Sequence, residues 1–182
     1  KRSDPRILAC SHSADLIESF SRECRNTVAA HYKILGYRLQ VDSRAIQEWS
    51  TTNGGTYRCS GVGAGLAGRR ADAGIIDDYI GSEDDANSKL IKDKQYAWYQ
   101  SDFWPRLKPD AIQIIVANRR AEDDLVGRLL EQSANKWEVV RLPFFAEEND
   151  ILGRPVGERL WKEWFTQAME DEVRKLPPRT QA

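Results

Sequence analysis

At 182 residues the chain fits one ordinary domain with room for a real core. With 30% charged and 41% hydrophobic residues it reads as a soluble globular protein and not a disordered one, and a net charge of −1 argues for no particular partner. Three widely spaced cysteines, Cys10, Cys24 and Cys59, form no CxxC pair and read as reduced thiols in a cytoplasmic setting. His12 and His31 are too few and too scattered for a histidine-based metal centre. No apolar run approaches the ~20 residues of a membrane span, and no signal peptide is visible. Lys1 is not an initiator methionine, so the chain is expected to be excised or processed.

The chain opens with a short strand, 6–10, and Ser11-His12-Ser13 then supplies hydroxyls suited to capping a helix. Leu16, Phe20, Cys24 and Val28 recur every four residues and predict an amphipathic helix over 14–31. Residues 36–53 are mixed and end in an Asn53-Gly54-Gly55 turn. A strand over 56–62 follows, expected to pair with 46–51. Gly61, Gly63, Gly65 and Gly68 then make a glycine-rich loop, closed by Arg69-Arg70, that leads into the apolar run Ala73 to Ile76. Leu90, Ala97 and Trp104 at heptad spacing predict one long helix over 83–104, ended by Pro105 and Pro109. Residues 111–117 are apolar almost throughout and predict a strand buried on both faces of a parallel sheet. Acidic Glu122-Asp123-Asp124 begins a helix with the stripe Leu125, Val126, Leu129 and Leu130. A last short strand is predicted over 137–143, a loop over 144–160, and a terminal helix from Leu160 to Leu176. Strands alternating with helices give an α/β class with a mostly parallel sheet and flanking helices.

The chemistry concentrates where the run 73–76 ends in Asp77-Asp78. A buried strand that delivers carboxylates at its carboxyl end can hold Mg²⁺ and orient a water in nucleotide hydrolysis. Alternation along the strand sends the two side chains to opposite sides. The plain alternative is a strand-end helix cap. Asn118-Arg119-Arg120 ends the strand 111–117, where it either senses a γ-phosphate or forms a solvated turn. The loop 61–70 admits an anion nest, an arginine finger at Arg69 or Arg70, or a flexible hairpin. Its GxGxxG letters precede a strand instead of opening a helix, which excludes a dinucleotide site. Trp98, Tyr99, Phe103 and Trp104 read as packing. No GxxxxGK[ST] phosphate cradle occurs in the 182 residues.

An ordered series runs through Gly61-Val62-Gly63-Ala64-Gly65-Leu66-Ala67-Gly68-Arg69, Ile75-Ile76-Asp77-Asp78, Ser88, Arg119 and Glu122-Asp123-Asp124-Leu125-Val126-Gly127-Arg128-Leu129-Leu130. It continues through Trp137-Glu138-Val139, Leu142-Pro143, Ala146-Glu147-Glu148 and Leu152-Gly153-Arg154. Over roughly 6–176 this series resembles the ATPase domain of the large subunit of tailed-phage terminases, the motor that packages DNA into proheads. The resemblance implies a P-loop NTPase core of the ASCE-like kind without its first strand and P-loop, a single partial ATPase domain over 1–182. Within it, 6–143 would form the α/β core, and 144–182 a loop and C-terminal helix leading toward a nuclease domain.

It implies ATP and Mg²⁺ as cofactors, with Asp77 on the metal and nucleotide and Asp78 as the catalytic carboxylate that activates water. Asn118 and Arg119 fall in the segment that couples hydrolysis to motion. There the family pattern Thr-Arg-Trp-His is replaced by Asn118, Arg119, Arg120 and Ala121. Arg69 matches the arginine of the glycine-rich loop, a candidate trans-acting finger. Implied partners are double-stranded DNA, the portal protein and the terminase small subunit, within a homo-oligomeric ring and without a membrane. The piece alone is expected to hydrolyse ATP poorly or not at all. A helicase-like nucleic-acid ATPase and a non-catalytic module from a decayed prophage are the alternatives.

Overall fold

A computed structural model describes residues 4–66, 68 and 70–175. The chain divides into two compact units, Lys1–Arg128 and Leu129–Ala182. In the first, β1 (Arg6–Ser11) leads to helix α1 (Ala14–Ala30) and a single turn α2 (Tyr32–Leu35). Strands β2 (Leu39–Arg44), β3 (Glu48–Thr51), β4 (Thr56–Gly61) and β5 (Ala71–Asp77) follow. Helices α3 (Glu83–Asn87) and α4 (Lys89–Trp98) then precede β6 (Leu107–Val116) and α5 (Leu125–Ser133). The six strands form one sheet in the order β2-β3-β4-β1-β5-β6. β1 pairs in parallel with β4 and β5, and β5 in parallel with β6. Only β3 runs against the rest, pairing antiparallel with β2 and β4, so the mixed α/β class with a mostly parallel sheet holds. The expected pairing of 46–51 with the strand after the glycine turn is the β3–β4 hairpin.

Ser13 caps α1, its side chain accepting from the Leu16 amide. The helix buries Ile17 against Ala9, Trp49, Tyr57 and Cys59. Trp49 and Tyr57 stack with centroids 5.1 Å apart. The buried row differs from the expected one: Ile17 and Ser21 are buried, whereas Phe20 and Cys24 are exposed. Ser21 takes a core position because its hydroxyl is used twice. It donates to the Ile46 carbonyl and accepts from Trp49 Nε1. A satisfied hydroxyl in the core row is invisible to apolar periodicity. Cys10, Cys24 and Cys59 are all thiols, and burial pushes Cys10 up to about 12, which leaves it inert at neutral pH.

The single long helix expected over 83–104 is broken. Ser88 ends α3 and caps α4, its side chain accepting from the Ile91 amide. A π-helical turn, 99–103, and a 3₁₀ turn, 104–106, finish the segment. The expected row Leu90, Ala97 and Trp104 is exposed, and α4 buries Lys92, Gln95 and Trp98 instead. Trp98, Tyr99 and Phe103 are buried as read, but Leu90 and Trp104 are 64% and 58% exposed. Phe103 and Leu107 close over Gly74 of β5. A Cβ there would lie 2.7 Å from Phe103 Cζ and 2.7 Å from Leu107 Cδ2. Gly74→Val therefore overpacks the core and costs about 2 kcal/mol. Urea denaturation reads this as a lower midpoint; an unchanged midpoint would contradict the packing.

β6 begins four residues before the expected start and runs through Pro109, which an outermost strand tolerates because its outer amides need no partner. It is not buried on both faces. Ile112, Ile114 and Val116 are exposed by 64%, 47% and 55%. Its apolar run signalled a central strand, and the sheet instead ends there.

In the second unit, no strand forms over 137–143 among the described residues. An isolated β-bridge joins Phe145 to Arg159. Phe144 packs edge-on against Phe145 and Phe165. Asp150 holds Arg154 at 2.6 Å, and Glu170 holds both Arg159 and Arg174. The terminal helix α6 spans Gln167–Lys175, not 160–176. Trp161 has φ +48, a left-handed conformation that cannot start a helix, and Thr166 Oγ1 accepts from the Met169 amide as the actual cap. Leu176 lies outside the described residues. Among the described residues, no helix is long and apolar enough to cross a membrane.

Candidate active site at the carboxyl ends of β1 and β5

Parallel pairing sets Ser11 beside Asp77, and Asp77 beside Val116. Paired residues of neighbouring parallel strands share a face, so Ser11 and Asp77 lie side by side at the carboxyl edge. Open α/β sheets bind ligands at this edge. The ladder extends one residue further. The Asp78 amide donates to the Val116 carbonyl at 2.9 Å, and the His12 amide donates to the Asp78 carbonyl at 3.1 Å. Asp78 is left-handed at φ +47, a conformation that aspartate tolerates better than most residues but that still costs about 1 kcal/mol. A sheet-bound backbone that turns left-handed immediately after Asp77 ends simple alternation, and this sets where the second carboxylate starts.

Electrostatics mark the pair. Burial pushes the Asp77 carboxyl above its ordinary value, the neighbouring Asp78 charge pushes it further, and His12 opposes them. Ser11 is fully buried, and its hydroxyl has no hydrogen-bond partner among the described residues. Two adjacent carboxylates that repel, beside an orphaned buried hydroxyl, make a set of hard oxygen donors suited to Mg²⁺. The residues present fit such an ion, although no cluster of three His, Cys, Asp or Glu side chains exists among the described residues. Further ligands would have to be water or substrate oxygens, the usual situation for Mg²⁺.

The glycine-rich loop starts beside this edge. The Val62 amide donates to the Ser11 carbonyl at 2.7 Å, and Trp98 Nε1 donates to the Ala64 carbonyl at 3.1 Å. Gly63 and Gly68 have φ +87 and +107, which only glycine adopts freely. Arg69 lies outside the described residues.

Asn118 and Arg119 follow β6, next to the acid pair's strand. Asn118 is exposed. Arg119 is engaged: its Nε donates to Asp124 Oδ2 at 2.8 Å, and its Nη2 to the carbonyls of Ala121 and Glu122, each at 3.1 Å. Asp124 is fully buried and also accepts from the Gly127 amide at 2.8 Å, capping α5. Buried Tyr79, one residue beyond the acid pair, reaches the same helix end, where its hydroxyl accepts from the Val126 amide at 3.4 Å. A chain of contacts thus joins the acid strand to the segment after β6. Arg120 pairs with Glu83 at 3.3 Å.

Ion pairs bind α4 to the segment 122–128. Lys92 pairs with Asp123, and Arg128 pairs with Asp93 at 2.8 Å. The ammonium of Lys89 and the guanidinium of Arg128 hold Asp93 below the usual carboxylate range, and Lys92 does the same for Asp123. A depressed folded value means that this support is present above the ordinary carboxylate value and is lost as pH falls through the folded one. Acid unfolding followed by circular dichroism is expected to be less steep below about pH 4 in Asp123→Asn than in wild type. Identical acid limbs would contradict this.

Sequence reading missed Ser11 and His12 as members of the site. They sit at the end of the first predicted strand, but nothing in the letters says that this strand neighbours the one ending in Asp77.

No family model and no curated protein matches the chain. Among solved structures, the large terminase of bacteriophage HK97 is similar at 12% identity with a TM-score of 0.47. The match covers 80% of this chain and 29% of that one, so the chain spans less than a third of that protein's length.

Proposed function

We propose that this chain is part of the DNA-packaging motor ATPase of a tailed-phage terminase large subunit, which couples Mg²⁺-ATP hydrolysis to translocation of double-stranded DNA into a prohead. The observation that carries the reading is the adjacent pair Asp77 and Asp78 at the carboxyl end of β5, with Asp77 destabilised as an anion by burial and by its neighbour. The ordered motif series from the glycine-rich loop through Leu152-Gly153-Arg154 supports it.

In this reading Asp77 holds Mg²⁺ and, through it, the nucleotide. The ion supplies charge neutralisation at the phosphates when bound. Asp78 orients the attacking water and accepts its proton. Asn118 stands at the end of the neighbouring strand as the group that senses the γ-phosphate. Arg119, tied to Asp124 at the start of α5, passes its displacement to the helix. Arg69 acts as a finger toward a neighbouring subunit in a homo-oligomeric ring. The portal protein and the small subunit are the partners of that ring.

The test is ATP turnover by a polypeptide that joins a GxxxxGK[ST] strand-loop-helix unit to this chain. Turnover that needs Mg²⁺ and rises with double-stranded DNA is expected, with little or none from the 182 residues alone. A folded polypeptide of that kind with no turnover would overturn the proposal.

A further inference from the structure

We propose that His12 is the positioning residue of the acid pair, an inference that rests on the motor reading for its purpose but not for its geometry. One carbonyl oxygen, that of Asp78, receives two groups of His12. The main-chain amide lies 3.1 Å away and the ring Nδ1 2.8 Å away. A carbonyl only accepts, so Nδ1 carries the proton in this contact. The same Nδ1 is 3.7 Å from Asp78 Oδ2, so the ring stands over both the backbone and the carboxylate of one residue.

The ring is itself seated. A Cβ added to Gly81 would lie 3.0 Å from His12 Cδ2 and 3.2 Å from Asp85 Oδ2, so glycine at 81 leaves the imidazole its place. Asp78 has the left-handed φ of +47 directly after a regular strand. The double hold from His12, with the Asp78 amide fixed on Val116, keeps that turn closed. His12 therefore acts through Asp78 and does not touch substrate. Its Nδ1–H to a backbone carbonyl is the kind of outer contact that orients groups in metal and water sites.

The experiment uses the 182-residue chain. Nitrogen-15 spectra of the imidazole report the tautomer, carbon-13 shifts report the Asp78 backbone, and paramagnetic broadening by Mn²⁺ reports divalent binding at the pair. Wild type is expected to show the Nδ1–H tautomer and a left-handed Asp78 signature. His12→Ala is expected to lose that signature and, because the opened turn displaces the adjacent Asp77 from its place, to weaken Mn²⁺ binding about tenfold. His12→Asn, whose amide can donate from the same place as Nδ1, restores both, whereas His12→Phe, similar in bulk without a donor, does not. An Nε2–H tautomer, wild-type Mn²⁺ binding in a folded His12→Ala, or equal rescue by phenylalanine would overturn the proposal. If wild type itself shows no Mn²⁺ broadening at Asp77 and Asp78, the motor reading fails separately. The clamp is then decided by the tautomer and the Asp78 shift, and an unchanged shift in His12→Ala and His12→Phe refutes it.

Discussion

Asp124→Ala lowers the stability of the chain by about 3 kcal/mol, the largest loss expected from any single truncation at the junction after β6. Asp124 is fully buried, and two groups depend on it at 2.8 Å: the guanidinium of Arg119 and the amide of Gly127. Truncation leaves a partly buried cation without its counter-charge and an amide at the helix start without an acceptor. Gly127 cannot move aside to compensate. A Cβ there would lie 1.8 Å from the Glu122 carbonyl oxygen, so the turn already closes as tightly as a backbone can. The melting temperature is expected to fall by roughly 10 °C. Asp124→Asn, which keeps an acceptor for Gly127, loses less. Equal melting of wild type and Asp124→Ala would show that the junction is not held this way.

Asp78→Asn acts in the opposite manner, changing chemistry with little change in fold. Asparagine is nearly isosteric and tolerates φ +47 as well as aspartate does, so the bonds from the Asp78 amide to Val116 and from His12 to the Asp78 carbonyl survive. What is removed is the carboxylate that, in the proposed motor reading, takes a proton from water. General-base removal costs two to four orders of magnitude in rate, so turnover of the polypeptide carrying a GxxxxGK[ST] unit is expected to drop at least about a hundredfold. Thermal melting of the same sample checks that the loss is not unfolding. Full activity in Asp78→Asn would sink the assignment of the base.

Local chemistry made several elements legible. Arg6–Ser11, the β3–β4 hairpin around Asn53-Gly54-Gly55 and the strand ending at Asp77 follow from short apolar runs bounded by turn residues. The helix at Leu125 follows from Asp124 as its cap. The misreadings arise where neighbours decide. Ile112, Ile114 and Val116 have the letters of a central strand, but only sheet order reveals that β6 is outermost. The 83–104 segment breaks at Ser88 and at a π turn that no residue type announces. Val139 and Val140 have strand propensity, yet among the described residues they form no strand.

The acid pair itself could be read from two letters at the end of an apolar run. Its supporting groups could not. Ser11 and His12 join it through parallel pairing across 66 positions of sequence, which is tertiary information. The letters of Asn118-Arg119-Arg120 leave a phosphate sensor and a solvated turn both open, and the structure gives Arg119 three partners within its own loop.

The central claim is that the two adjacent aspartates hold different roles, Asp77 on the metal and Asp78 on the water. The most direct measurement is Mg²⁺-supported binding of a fluorescent ATP analogue to the polypeptide carrying a GxxxxGK[ST] unit, compared between Asp77→Asn and Asp78→Asn. Asp78→Asn is expected to bind as wild type does, with the same gain from Mg²⁺, while Asp77→Asn loses that gain. If both variants bind as wild type, or if Asp78→Asn alone loses the Mg²⁺ dependence, the division of roles is wrong.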